Sequence, residues 1–308
     1  MTHPLALLLC GLSYGEPPPA PPAPAIAFIY SSLTVVRINP LGLQEQLEFG
    51  LQARLWNSDS ILLKDAFAGV YFTPLLTPAF MGPGVTVKVQ PLAVLKLEAR
   101  YSWVKYLATF NLIQSFPSPS ADYSDTAIDA RADRAYDADG TNLTLGVELK
   151  GKLGPVVARS KLMATFHDMD LREGDRVWYD QYLDLLIPGT GWTLANDLDV
   201  LWQIPMDEDG AMLMLGARYT VATPLYAATD FLPGESQEHE NGPFHRLGPM
   251  FVYTFFDRPG AAFNKPSLIA IVSWHLAHRY RTGADTSQAL PYAVLAFAFT
   301  GELWRAQD

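Results

Sequence analysis

The feature that most restricts this chain is a two-residue alternation of apolar and polar positions, repeated along nearly its whole length. From Val85 onward, Val87, Val89, Pro91, Ala93, Leu95, Leu97, Ala99, Tyr101 and Trp103 share one parity, while Thr86, Lys88, Gln90, Lys96, Glu98, Arg100 and Ser102 hold the other. Successive side chains of a strand point to opposite faces, so the pattern makes one apolar and one polar face; a helix would scatter the charges all round. Leu43, Leu47, Phe49, Leu51, Ala53 and Leu55 repeat it against Gln44, Gln46, Glu48, Gln52 and Arg54. So do Trp192, Leu194, Leu198, Val200, Trp202 and Ile204 against Thr193, Asp197, Asp199 and Gln203. The longest uncharged stretch, Ala66 to Val87, is long enough to cross a bilayer as a helix, but Pro74, Pro78 and Pro83 inside it would remove helical hydrogen bonds and clash with the preceding turns.

The alternation predicts an all-β fold with strands near 25–38, 42–56, 62–73, 84–104, 141–153, 155–168, 176–187, 191–204, 211–222, 246–257, 266–279 and 288–303. Most exceed the roughly five or six residues usual in soluble sheets, and several reach the roughly nine to eleven tilted residues that cross a hydrocarbon core. The architecture that follows is a single antiparallel transmembrane β-barrel of about 12 strands, with 10–14 compatible with the pattern. Pro91 cannot donate to a ladder, so 84–104 also reads as a hairpin turning near Gln90-Pro91. The long polar segments 105–140 and 222–245 contrast with short turns such as 206–210 and 151–154, as the loops and turns of such barrels do. With the strands placed as above, however, 105–140 falls on the short-turn side. Either a further hairpin lies in Val104 to Phe116, or the register is wrong.

Composition narrows the class. Of the 308 residues, 49% are hydrophobic and 18% charged, which excludes disorder over most of the length. The formal net charge is −10 and no dense Lys/Arg run occurs, so nucleic acid is not an expected partner. Residues 1–15 read as a signal peptide, with an apolar core from Pro4 to Leu12 and Ser13-Tyr14-Gly15 as a small-x-small cleavage site; Met1-Thr2-His3 supplies no basic residue. The single cysteine, Cys10, lies inside that segment, where Leu7-Leu8-Leu9 makes a poor lipoprotein signal. Residues 16–24 form a Pro-rich spacer, and 25–308 is the barrel domain.

Aromatic residues stand near predicted strand ends: Trp56, Trp103, Trp178, Trp192, Tyr292 and Trp304. That is where the interfacial girdles of membrane barrels lie. Tyr292-Ala293-Val294-Leu295-Ala296-Phe297-Ala298-Phe299 resembles the aromatic-alternating last strand of bacterial outer-membrane β-barrel proteins, although Arg305-Ala306-Gln307-Asp308 follows Trp304 where the class normally ends on an aromatic residue. The resemblance implies a place in the bacterial outer membrane, contact with the lipid bilayer and lipopolysaccharide, and recognition by the outer-membrane assembly machinery. A monomer is the expected state.

No constellation for covalent chemistry stands out, so no catalytic residue, cofactor or metal is assigned. His275 and His278 are expected on opposite faces of a strand, His275 inward with Ser273 and Arg279, His278 near the membrane interface. Glu238-His239-Glu240-Asn241-Gly242 resembles the His-x-Ser-Asn-Gly element of outer-membrane phospholipases but lacks the serine that the mechanism needs. The acidic loop 122–140 carries Asp137-Ala138-Asp139-Gly140, yet EF-hand spacing would put ligands at Ala135 and Gly146. What remains is the lumen-facing set: Lys88, Lys96, Glu98, Arg100, Arg159, Lys161, Asp197, Asp199, Arg218 and His275. Charges of both signs inside a barrel either pair and fill the lumen or line a water-filled path, while Met212, Met214, Met250, Val252 and Ala296 point inward by parity and make part of the lumen apolar. The leading expectation is a passive channel or small-solute transporter. The alternatives are a non-conducting structural or surface-interaction barrel, and a soluble periplasmic all-β protein.

Overall fold

A computed structural model describes residues 25–107, 113–282 and 291–306. The signal segment and Pro-rich spacer expected over 1–24 lie outside the described residues. The wall contains β1 (Ile26–Ile38), β2 (Gly42–Arg54), β3 (Phe67–Phe72), β4 (Leu75–Leu76), β5 (Phe80–Gly82), β6 (Gly84–Leu92) and β7 (Leu95–Leu107). After β8 (Ser115–Phe116), which is not in the wall, follow β9 (Asp137–Leu153) and β10 (Val156–Met169). Beyond the short β11 (Val177–Asp180) and β12 (Leu185–Pro188) come β13 (Thr190–Pro205), β14 (Met212–Leu225), β15 (Phe244–Thr254), β16 (Asn264–Ala277) and β17 (Tyr292–Arg305).

β3 and β4 both pair with β2 and act as one wall strand, as β5 and β6 do against β7. Neighbours in the wall are antiparallel, and β1 pairs with both β2 and β17, closing twelve wall strands into a barrel. Closure removes the free edges that a sheet cannot expose in hydrocarbon.

The strand count matches the expectation for reasons that cancel. Segment 84–104 is two wall strands, β6 and β7, and segment 176–187 is none. In the first case Val87 pairs with Ala99 and Lys88 with Glu98. Partners share parity, so the alternation passes through the turn in phase and conceals it; the pairing shifts register between Val89 and Leu92, where Pro91 sits. Segment 176–187 is the β11–β12 hairpin, joined to β8 in a separate three-stranded sheet and buried on both faces. With both corrections the parity conflict disappears. The connecting segments 113–136, 170–189, 226–243 and 278–282 lie at one end of the barrel, whereas 93–94, 154–155, 206–211 and 255–263 turn at the other.

Polarity is inverted relative to a soluble protein. Outward residues of β6 and β7, Val85, Val87, Leu97, Tyr101 and Trp103, are 41–55% exposed, and Leu145, Val147 and Leu149 of β9 are 39–54% exposed. Facing inward from the same strands, Lys88, Lys96, Glu98, Arg100 and Glu148 are buried. Each large apolar side chain left in water forgoes about 1.5–3 kcal/mol of transfer free energy, so a belt of this kind is matched to lipid. The chain is a closed antiparallel β-barrel whose outer face carries an apolar belt of the kind that crosses a membrane.

Candidate lumenal site and its lid

All the charged side chains expected inside the barrel are inside it, and they lie on one side of the lumen. Alternation along β7, β10 and β13 aims Lys96, Glu98 and Arg100, then Arg159 and Lys161, then Asp197 and Asp199 inward, and each of these residues, with Lys88 and Arg218, is only 0–7% exposed. They pair across strands. Thr220 Oγ1 donates to Asp197 at 2.5 Å; the Arg218 guanidinium donates to both oxygens of Asp199, at 2.6 and 2.9 Å, and stands 3.9 Å from Asp197. Asp199 meets Arg159 at 3.0 Å, Arg159 meets Glu148 at 3.8 Å, and Glu148 meets Lys96 at 3.1 Å. Lys161 pairs with Glu98 at 2.8 Å and Lys88 with Glu48 at 2.5 Å, while Arg100 donates to the carbonyls of Thr73 and Gly82. Charges taken out of water are tolerated only when opposite charges are paired in this way.

The other side of the lumen is apolar. Leu33, Val35, Leu201, Met212, Met214, Met250, Val252, Ile269, Ile271, Val294, Ala296 and Ala298 form one buried cluster. These inward methionines and valines fill space that an open pore would leave to water.

The mouth on the long-loop side is covered. The β11–β12 hairpin leaves the wall between β10 and β13 and reaches the opposite wall, where the Arg37 guanidinium lies 4.1 Å above the Tyr182 ring, Tyr182 OH donates to Gln44 and the ring packs edge-on to Phe80. Its turn is built by Asp180, whose Oδ1 accepts from the backbone N–H groups of Tyr182 and Leu183 at 2.6 and 3.0 Å, and by Asp184 at φ 55°. Burial pushes the Asp180 carboxyl up to about 6, against the opposing pull of those two N–H groups. Arg281 holds the hairpin from above, donating to Asp184 and, in a two-pronged contact at 2.8 and 2.9 Å, to Asp125 of α1 (Asp125–Asp129). Tyr179 OH donates to Asp184 at 2.6 Å. These donors hold the Asp184 carboxyl below its usual range although burial opposes them. The 226–243 loop joins through Tyr226 OH to the Leu186 carbonyl, Asn241 Nδ2 to the Pro119 carbonyl, and Ser118 Oγ to Glu235.

Two girdle assignments are corrected. Trp178 is 1% exposed because it belongs to the inserted hairpin, packed against Tyr106 and His167, and Tyr292 is 6% exposed because its parity on β17 is the inward one. Trp103 and Trp304 do face outward, more than half exposed. The histidines also differ from expectation. β16 ends at Ala277, so strand alternation no longer governs His278; it turns into the mouth, its Nε2–H donating to the Asp184 carbonyl at 2.7 Å, with its ring 5.0 Å from that of His275. No group of three or more metal-ligating side chains occurs among the described residues.

Beneath the hairpin tip lies a cavity of about 100 Å³ lined by residues of the wall and by Asp180, Tyr182 and Leu183. Asp180, Arg246 and Asp184 were not singled out from the sequence. Arg246 shares parity with inward-pointing Met250 and Val252, a signal sufficient to find it; the two aspartates were hidden by reading 176–187 as wall.

No family model matches the sequence, and no curated protein matches it. Among solved structures the fold is similar to the translocator domain of autotransporter NalP from Neisseria meningitidis, with 13% identity over 91% of this chain and 89% of that one at TM-score 0.42. It is similar also to the beta domain of the Bordetella autotransporter BrkA, with 12% identity, coverage of 90% and 99%, and TM-score 0.40, and to LpxR from Salmonella typhimurium, with 7% identity, coverage of 89% and 99%, and TM-score 0.37.

Proposed function

We propose that this protein is a non-conducting barrel of the bacterial outer membrane that presents a rigid, interlocked lid of long loops on one face. The observation that carries the reading is the cross-strand chain from Asp197 through Arg218, Asp199, Arg159 and Glu148 to Lys96, whose members are at most 5% exposed. Ions in transit need solvated charges that they can meet and leave; paired charges out of contact with water offer neither. The apolar cluster on the facing wall and the hairpin across the mouth close the remaining space. The lid is then the accessible working surface, and no covalent chemistry is assigned to it.

Planar-bilayer recording of the refolded full chain tests this. Intact bilayers without discrete current steps are expected; reproducible steps from the unmodified protein would overturn the reading. A second reading, a small-solute transporter whose lid opens, is favoured by one observation: the cavity under the hairpin tip, bordered by both polar and apolar walls. It calls for steps or solute flux when the lid is released by Arg281→Ala.

A further inference from the structure

Most polar groups around the cavity already have partners. His167 is held on both ring nitrogens, by Asn142 Oδ1 and Thr193 Oγ1 at 2.9 Å each; Asp197 is taken by Thr220 and Arg218, and Arg218 by Asp199. Two groups of opposite sign do not fit this balance. Arg246, partly buried, is flattened on the Tyr292 ring, its guanidinium 3.6 Å from the centroid; among the described residues it makes no hydrogen bond or ion pair, and Asp197 acts on its charge only at longer range. Stacking occupies the face of a guanidinium and leaves its in-plane N–H donors available. Asp180 is 0% exposed, and while its Oδ1 caps the hairpin turn, its Oδ2 has no hydrogen-bond partner. Both residues line the same cavity.

An unsatisfied buried oxygen such as Asp180 Oδ2 is costly, and a ligand that satisfied it while meeting the Arg246 guanidinium would gain what the fold forgoes. The complement of a free guanidinium is a carboxylate; the complement of a buried carboxylate oxygen is an N–H or O–H donor. Met163, Leu183, Phe244, Ile271 and Val294 give the rest of the wall an apolar surface. At about 100 Å³ the space is well below the roughly 300–1,000 Å³ of sites for drug-sized molecules, so the occupant has few heavy atoms. We propose that this cavity binds a small molecule that carries a carboxylate and a neighbouring N–H or O–H donor, an amino acid or hydroxy acid, with its carboxylate on Arg246 and its ammonium or hydroxyl donor on Asp180. Burial already pushes the Asp180 carboxyl up to about 6, and a cationic donor beside it would favour the charged form.

The test is calorimetric titration of the full chain, refolded in detergent, with alanine, lactate, propionate and ethylamine as probes. Saturable binding of alanine or lactate is expected, with propionate and ethylamine each about tenfold weaker or more, because each leaves one charged group without its hydrogen bond. Alanine binding more tightly than lactate assigns the donor as an ammonium, and the reverse order assigns a hydroxyl. Arg246→Gln and Asp180→Asn should each weaken the better probe by about tenfold, while Arg246→Lys keeps a cation and should lose less. Only variants with the unmodified protein's gel mobility before heating are compared, and the four probes on the unmodified chain need no variant. Absence of saturable binding by any probe would overturn the proposal, as would propionate binding as tightly as alanine and lactate, or affinity unchanged in both Arg246→Gln and Asp180→Asn.

Discussion

Arg281 Nε donates to Asp184 Oδ2 at 2.8 Å across 97 positions of sequence, and the same guanidinium grips Asp125 156 positions away. One side chain thus ties three of the four long connections into a single lid. Asp184 is nearly out of water, so removing its partner leaves a buried carboxylate whose remaining hydrogen-bond donor is Tyr179. Breaking a buried pair from one side costs about 3–5 kcal/mol. Arg281→Ala should therefore loosen the lid while leaving the wall intact: proteolysis within 113–136 and 170–189 should accelerate by at least tenfold at unchanged gel mobility. Equal cleavage rates would show that the lid does not depend on this contact.

Asp180 gives the lid a pH dependence. Its folded value of about 6 lies above the unfolded carboxylate value near 4, so the folded hairpin binds the proton more tightly than the unfolded one. The contribution to stability is fully present below about pH 4 and is lost as pH rises through about 6, amounting to about 3 kcal/mol for two pH units. Hydrogen exchange of the 177–188 amides, corrected for intrinsic rates, should show more frequent opening at pH 8 than at pH 5. Asp180→Asn keeps the Oδ1 acceptor for the turn and should flatten the profile; an unaltered profile in this variant would assign the dependence to another group.

Glu148 joins Lys96 and Arg159 in the lumen. Glu148→Gln keeps shape but leaves two buried cations short of their counter-charge, so it should destabilise the barrel by about 3–5 kcal/mol. Urea unfolding from lipid vesicles measures this. A change below 1 kcal/mol would mean that water reaches the pair, contrary to a filled lumen.

On the outer surface the cost should depend on depth. Leu145→Arg places a cation midway along β9 and should cost about 2–4 kcal/mol, whereas Leu153→Arg, beside the tight turn and 85% exposed, should cost about 0–1 kcal/mol. Similar costs at the two positions, measured by folding into vesicles, would contradict the placement of the bilayer along β9.

Much of the wall was legible because lipid on one side and a polar lumen on the other impose a period of two that nothing local needs to override. Val87, Leu97 and Tyr101 against Lys88, Glu98 and Arg100 are enough to place β6 and β7 and the sense of their faces. What the pattern could not separate was a strand from a hairpin whose partners share parity, as at Lys88 and Glu98. Nor could it distinguish a wall strand from a buried insertion. Val177, Trp178, Leu186 and Ile187 are apolar for packing inside the mouth, and that motive leaves the same composition as a lipid-facing strand. The lumenal cations were found because charge on the polar parity has only one place to go. The lid contacts were not, since Arg281 with Asp184 and Tyr182 with Arg37 are set by tertiary approach of loops distant in sequence.

Gel mobility of the refolded full chain in detergent, before and after boiling, bears most directly on whether these twelve strands form a closed membrane barrel. A closed barrel resists unfolding by detergent, so a distinct band should persist unheated and move to the unfolded position only on boiling. A chain that stayed soluble without detergent and ran identically before and after boiling would contradict the membrane barrel.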